Sequence, residues 1–196
     1  MQGQETAGDS KLSALAEHMK SLHFKVKTGV KFDDQPTAIM ARRARIQIER
    51  LCLAEEFFMV SHFDHLDFAS LKDYSRKCFK YALQNRRIPL PWGWPAVHFA
   101  TCYAVATIPA ADGALTSGLT RIEPILRWWY GYEFPIVWDL AQGRLYYPRV
   151  MADIFGRAAQ MQERVALEVL APVARPQSDL GRADARTPPS VGSPSP

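Results

Sequence analysis

The stretch Phe57-Phe58-Met59-Val60-Ser61-His62-Phe63-Asp64-His65-Leu66-Asp67 decides how this chain is read. Its first half is aromatic and β-branched, and it predicts a strand over Phe57–His62. Its second half leads into Leu71, Tyr74, Cys78 and Tyr81 or Ala82, an apolar stripe at helical spacing. That stripe predicts a helix from about Asp67 to Asn85. Ser70 and Asp73 match the Ser/Thr-x-x-acid pattern that satisfies orphan amides at a helix start. Arg86 and Arg87 follow, where the helix dipole favours cations.

Upstream, Leu12, Leu15, Met19 and Leu22 predict a short helix capped by Asp9 or Ser10. Phe24–Lys27 alternates apolar and charged residues and reads as a strand, extended by Val30 and Phe32. Residues 33–36 read as a turn. Residues 42–53 fit either period, with strand preferred and Ala54-Glu55-Glu56 as a hairpin connection. Downstream, His98–Ile108 is apolar almost throughout, as in a strand buried on both faces. Thr120-Arg121-Ile122-Glu123 forms a capping box with Pro124 in the first turn, which predicts a helix to Tyr130 stopped by Gly131. Phe134–Leu140 and Arg144–Tyr147 form a hairpin around Ala141-Gln142-Gly143. Met151–Leu170 reads as a long helix. Helices and strands interleave, so the expected fold is α/β, with α+β as its neighbour. Its mixed sheet would have about five strands, helices packed on it and a hairpin at 134–147.

With 47% hydrophobic and 22% charged residues the composition is that of a globular protein. Residues 1–9 and the Pro/Ser/Arg-rich 173–196 bury too little apolar surface to order themselves and read as disordered. Residues 10–172 then form a single domain of about 160 residues. No signal peptide and no membrane span is expected. Cys52, Cys78 and Cys102 form no CxxC pair and read as reduced, buried thiols of a cytoplasmic protein.

His62, Asp64 and His65 are the one crowding of imidazole and carboxylate, ligands suited to a divalent metal. His98, Asp112, Glu133 and Asp139 are the distant groups available to complete such a site. The ordinary alternative is a strand-to-helix junction with Asp67 as cap. The register His62-x-Asp64-His65-x-Asp67 departs from the His-x-His-x-Asp-His signature of metallo-β-lactamase-like hydrolases, and that resemblance is not drawn. A nuclease of the restriction-endonuclease type needs an acid on one strand and acid-x-Lys on the next. No expected strand carries acid-x-Lys, so this idea rests on basic charge and element order alone. Phosphate-loop, dinucleotide and Gly-x-Ser-x-Gly motifs are absent.

The net charge is +4, and between Lys11 and Arg50 nine cations face four acids. Trp92, Trp94, Trp128 and Trp129 belong to an aromatic-rich stretch suited to interfaces or base stacking. The first expectation is therefore an interaction or accessory protein rather than an enzyme. It would bind a protein or polyanion through Trp92, Trp94, Trp128, Trp129, Arg42, Arg43 and Arg45, without a cofactor. Self-association is another partner class, nucleic acid a weaker one, and a membrane is not expected. The alternative is a metal-dependent hydrolase or nuclease that uses His62, Asp64 and His65 with a divalent cation.

Overall fold

Cross-strand pairing decides the segment that fits both periods. Gln35–Gln47 is a strand, β2, paired antiparallel along Cys52–His62, β3, from Thr37↔Ser61 to Gln47↔Cys52. The computed structural model describes residues 7–32, 35–47, 52–86, 98–121, 125–126, 131–148 and 156–174. Ala54-Glu55-Glu56 is therefore not a hairpin connection but the interior of β3, all three residues buried. Glu56 tolerates that position because β2 supplies its counter-charges.

Helix α1, Ala7–Ser21, precedes the edge strand β1, Lys25–Phe32, which pairs antiparallel with β2. After β3 comes α2, Phe68–Gln84, and then β4, His98–Ile108, parallel to β3. Helix α3, Gly113–Arg121, leads through the short β5, Ile125–Leu126, to β6, Gly131–Asp139, which lies parallel to β4. Strand β7, Arg144–Tyr146, turns back on β6, and helix α4, Gly156–Ala174, closes the described chain. The sheet order is β1-β2-β3-β4-β6-β5, with β7 also on β6. A mixed α/β sheet, its C-terminal hairpin and the doubly buried β4 all agree with the sequence reading. Among the described residues the sheet has seven strands against the expected five or so, and β5 is the one that the sequence reading places in a helix.

Strand parity sends two apolar sets to opposite faces. Phe58, Val60, Tyr103, Val105, Phe134, Ile136 and Trp138 meet Leu15 and Met19 of α1 and Val165 and Val169 of α4. Phe57, Met59, Cys102, Ala104 and Ala106 meet Leu71, Cys78 and Ala82 of α2 and Leu115 and Leu119 of α3. The result is three layers, with α1 and α4 below the sheet and α2 and α3 above it.

One irregularity shapes the edge. The β2–β3 register shifts between Thr37 and Ile39, and opposite it Gly29 adopts φ +64°. Glycine takes that conformation without strain. Val26 consequently packs with the α1/α4 layer, whereas Val30 and Phe32 pack with the α2 layer.

The helix expected over 120–130 is not formed. Helix α3 lies earlier and is capped by Asp112, whose Oδ1 accepts from Leu115 N at 2.6 Å. Ile125–Leu126 pairs with β6 instead, and residues 122–124 and 127–130 lie outside the described residues. Gly131 is likewise no helix stop: it opens β6 against the backbone of Ala100. A Cβ placed there would sit 1.8 Å from the Ala100 carbonyl oxygen. Gly131→Ala should therefore lower the melting temperature sharply, whereas Gly113→Ala, where nothing lies within 4 Å, should not. Thermal unfolding of the two variants checks this.

Candidate anion-binding groove

The three arginines singled out on β2 separate by parity. Arg43 and Arg45 point toward the α1/α4 layer and are occupied there. Arg43 Nε and Nη2 donate to Glu56 Oε2 at 2.9 and 2.8 Å, and Nη1 donates to the Leu22 carbonyl at 3.1 Å. Its guanidinium also stands 4.2 Å from the ring centroid of Phe24. Arg45 Nε lies 2.8 Å from Glu56 Oε1, a charge contact without hydrogen-bond alignment. Glu56 is fully buried, so these contacts neutralise a carboxylate that could not otherwise sit inside the sheet. Glu56→Ala should cost about 3–5 kcal/mol of stability, because it strands two guanidiniums. Chemical denaturation measures it.

Arg42 faces the other way. Its Nη1 donates to the Asn85 carbonyl at 2.9 Å, where the C-terminus of α2 favours a cation. Lys25, Lys27, Met40, Phe57, Tyr81 and Asn85 join it around a cleft of about 190 Å³. A second cleft of about 370 Å³ opens along the same side of α2, lined by Phe32, Phe63, Ala69, Ser70, Asp73, Tyr74 and Lys77. The Phe32 and Tyr81 rings, edge-to-face with centroids 5.2 Å apart, stand between the two. Together they form a groove between β1 and α2, cationic at one end and aromatic at the other.

The surface around the groove is basic. Helix α2 carries Lys72, Arg76, Lys77 and Lys80 against the single acid Asp73, and β1 adds Lys25 and Lys27 on the same face, whereas Lys31, between Val30 and Phe32, lies on the other. All these cations are exposed. Asp73 pairs with Lys77 at 3.1 Å, an exposed contact of little strength. The opposite layer carries both signs: among the described side chains α1 has Asp9 and Glu17 against Lys11 and Lys20, and α4 has Glu163 and Glu168 against Arg164. Lys20 bonds Glu17, and Lys11 donates to the Leu140 carbonyl. The basic segment seen in the sequence is thus only partly available to a partner. Sequence reading misses the cations of α2, although Lys72, Arg76 and Lys80 at four-residue spacing signal one charged face.

His62, Asp64 and His65 lie at the exposed end of β3. His62 Nδ1 is 3.2 Å from Thr107 Oγ1, and its Nε2 is 3.8 Å from Asp64 Oδ1. Of the distant acids, Asp112 caps α3, and Asp139 accepts from Ala111 N at 3.1 Å and Gln142 N at 2.9 Å. Glu133 is buried within β6. Among the described residues, no three His, Cys, Asp or Glu side chains gather as a metal site. The side chain of His98, and Trp92, Trp94, Trp128 and Trp129 altogether, lie outside the described residues. Cys78 and Cys102 are buried and form no disulfide, and burial pushes the Cys102 thiol up, away from nucleophilic use. Among the described residues, no helix is long and apolar enough to cross a membrane.

No family model, curated protein or solved structure matches this chain.

Asp67 is the cap of α2: its Oδ1 accepts from Ser70 N at 2.6 Å, and this bond holds its carboxyl below the usual range. A depressed carboxylate stabilises the fold above its unfolded value and loses that contribution as pH falls through the folded one. Asp67→Asn keeps an acceptor but no titration. Melting curves of wild type and variant should converge as the pH falls through the acidic carboxylate range, with the wild type the more pH-dependent of the two.

Proposed function

We propose that this protein binds a polyanionic partner through the face formed by β1 and α2. The observation that carries the reading is the charge asymmetry between layers. One layer exposes a continuous set of Lys and Arg side chains with Asp73 as the acid among them, and the other carries both signs. Like charges held side by side in a folded surface repel one another, and they gain most from a ligand that brings matching negative charge. Tyr81 and Phe32 add aromatic surface beside the cations, while Trp92, Trp94, Trp128 and Trp129, the aromatics expected from the sequence, lie outside the described residues.

Arg42, Lys25 and Lys27 are the residues that touch the partner at the cationic cleft, while Lys72, Arg76 and Lys80 extend the field along α2. Arg43 and Arg45 serve the fold through Glu56. A protein partner with an acidic surface is the competing reading for the same residues.

Heparin affinity as a function of salt tests the proposal. Binding should weaken linearly in log–log form as salt rises, because counterions are released. Lys72→Glu/Arg76→Glu/Lys80→Glu should weaken it further and flatten the slope, because fewer counterions are released when the protein neutralises fewer anionic groups. Arg164→Glu on α4, an exposed position of the opposite layer, should leave it unchanged. Binding that is insensitive to salt, or equally weakened by Arg164→Glu, would overturn the proposal.

A further inference from the structure

We infer that the groove holds single-stranded nucleic acid, with a phosphate over Lys25, Lys27 and Arg42 and a base from further along the strand in the Phe32–Phe63 cleft. This rests on the polyanion reading above and narrows it to one ligand class. Any polyanion can use the cationic cleft; the adjoining one is what discriminates. It is about twice as large, at about 370 Å³ against about 190 Å³, and Phe32, Phe63 and Tyr74 give it aromatic walls. Those rings are held firmly: Phe63 meets Tyr74 edge-to-face at 5.1 Å, and the Tyr74 hydroxyl donates to the Met59 carbonyl at 2.9 Å.

Single-strand binders combine a positive track for the backbone with aromatic side chains for the bases, because every base has a π-face. Both halves of that requirement sit here on one side of α2. Lys77 and Tyr81 mark the adjoining edges of the two clefts, whose linings along α2, residues 69–77 and 81–85, are centred about ten residues or about 15 Å apart. That exceeds one nucleotide, so a strand laid along the helix places a phosphate in one cleft and a base from further along the strand in the other. Charge favours one arrangement. In the wall of the aromatic cleft Asp73 is paired with Lys77, so that wall is neutral overall, while Ser70 and Asp73 offer polar atoms to a base edge. The cationic cleft has three cations and, among the described residues, no acid in its wall, so a phosphate gains more there. A duplex keeps its bases stacked inside and cannot fill the aromatic cleft without flipping one out. Heparin and acidic peptides bring charge but no base. Phe63, from the cluster at the end of β3, thereby acquires a role that His62 and His65 do not share.

Fluorescence anisotropy of the intact protein tests this, with a short mixed-sequence single-stranded oligonucleotide, the matching duplex and labelled heparin as probes. The single strand should bind about tenfold more tightly than the duplex at equal salt. Phe32→Leu and Phe63→Leu, which retain apolar bulk, should each remove most of that preference, and Phe63→Leu, which lies outside the cationic cleft, should leave heparin binding near wild type. Lys25→Glu/Lys27→Glu should weaken all three probes. Equal affinity for strand and duplex, or a preference untouched by both Phe variants, would overturn the inference while the polyanion reading stands. Failure of all three probes to bind would overturn both.

Discussion

The contact on which this structure depends is the buried carboxylate of Glu56, held by Arg43 and approached by Arg45. A glutamate in the middle of a sheet is tolerable only if counter-charge arrives with it. Here the counter-charge comes from the neighbouring strand, and it fixes more than the β2–β3 register. Arg43 reaches on to the Leu22 carbonyl at the end of α1, covers the Phe24 ring and lies 3.8 Å from Glu168 of α4. One guanidinium thus ties β2, β3, the α1–β1 connection and α4 into a single unit.

That contact also sorts the charge of the molecule. Alternation along β2 sends Arg43 and Arg45 inward to Glu56, and Arg42 to the other face beside the C-terminus of α2. The change at Gly29 and Ala38 then turns Val30 and Phe32 toward α2, so Phe32 can meet Tyr81 and divide the groove into two clefts. The basic groove is therefore a consequence of strand parity at the sheet edge. It is not a property of the basic N-terminal segment as a whole.

Much of the fold is legible in the sequence because its signals are local. The α2 stripe, the 134–147 hairpin and the apolar β4 each declare themselves within a dozen residues. A hairpin connection at 54–56 is a natural misreading, because two adjacent glutamates look like a solvated turn. Only the cross-strand arginines reveal that the second of them is neutralised inside the sheet. Helix α3 escapes notice because Gly113, Thr116, Ser117, Gly118 and Thr120 are weak helix formers. The capping box at Thr120 misleads because Ile125 and Leu126 find a strand partner in β6. As for the site, the histidine cluster and the basic run are visible in the sequence. The joining of β1 and α2 is not, because they are more than thirty residues apart and meet only once the sheet is assembled.

Hydrogen–deuterium exchange of the intact protein, with and without saturating heparin, tests the sorting of charge most directly. Slowed exchange confined to β1 and to α2 around Lys77–Asn85, with α1 and α4 unchanged, is the predicted footprint. Protection centred on α1 and α4, with β1 and α2 unaffected, would contradict the account.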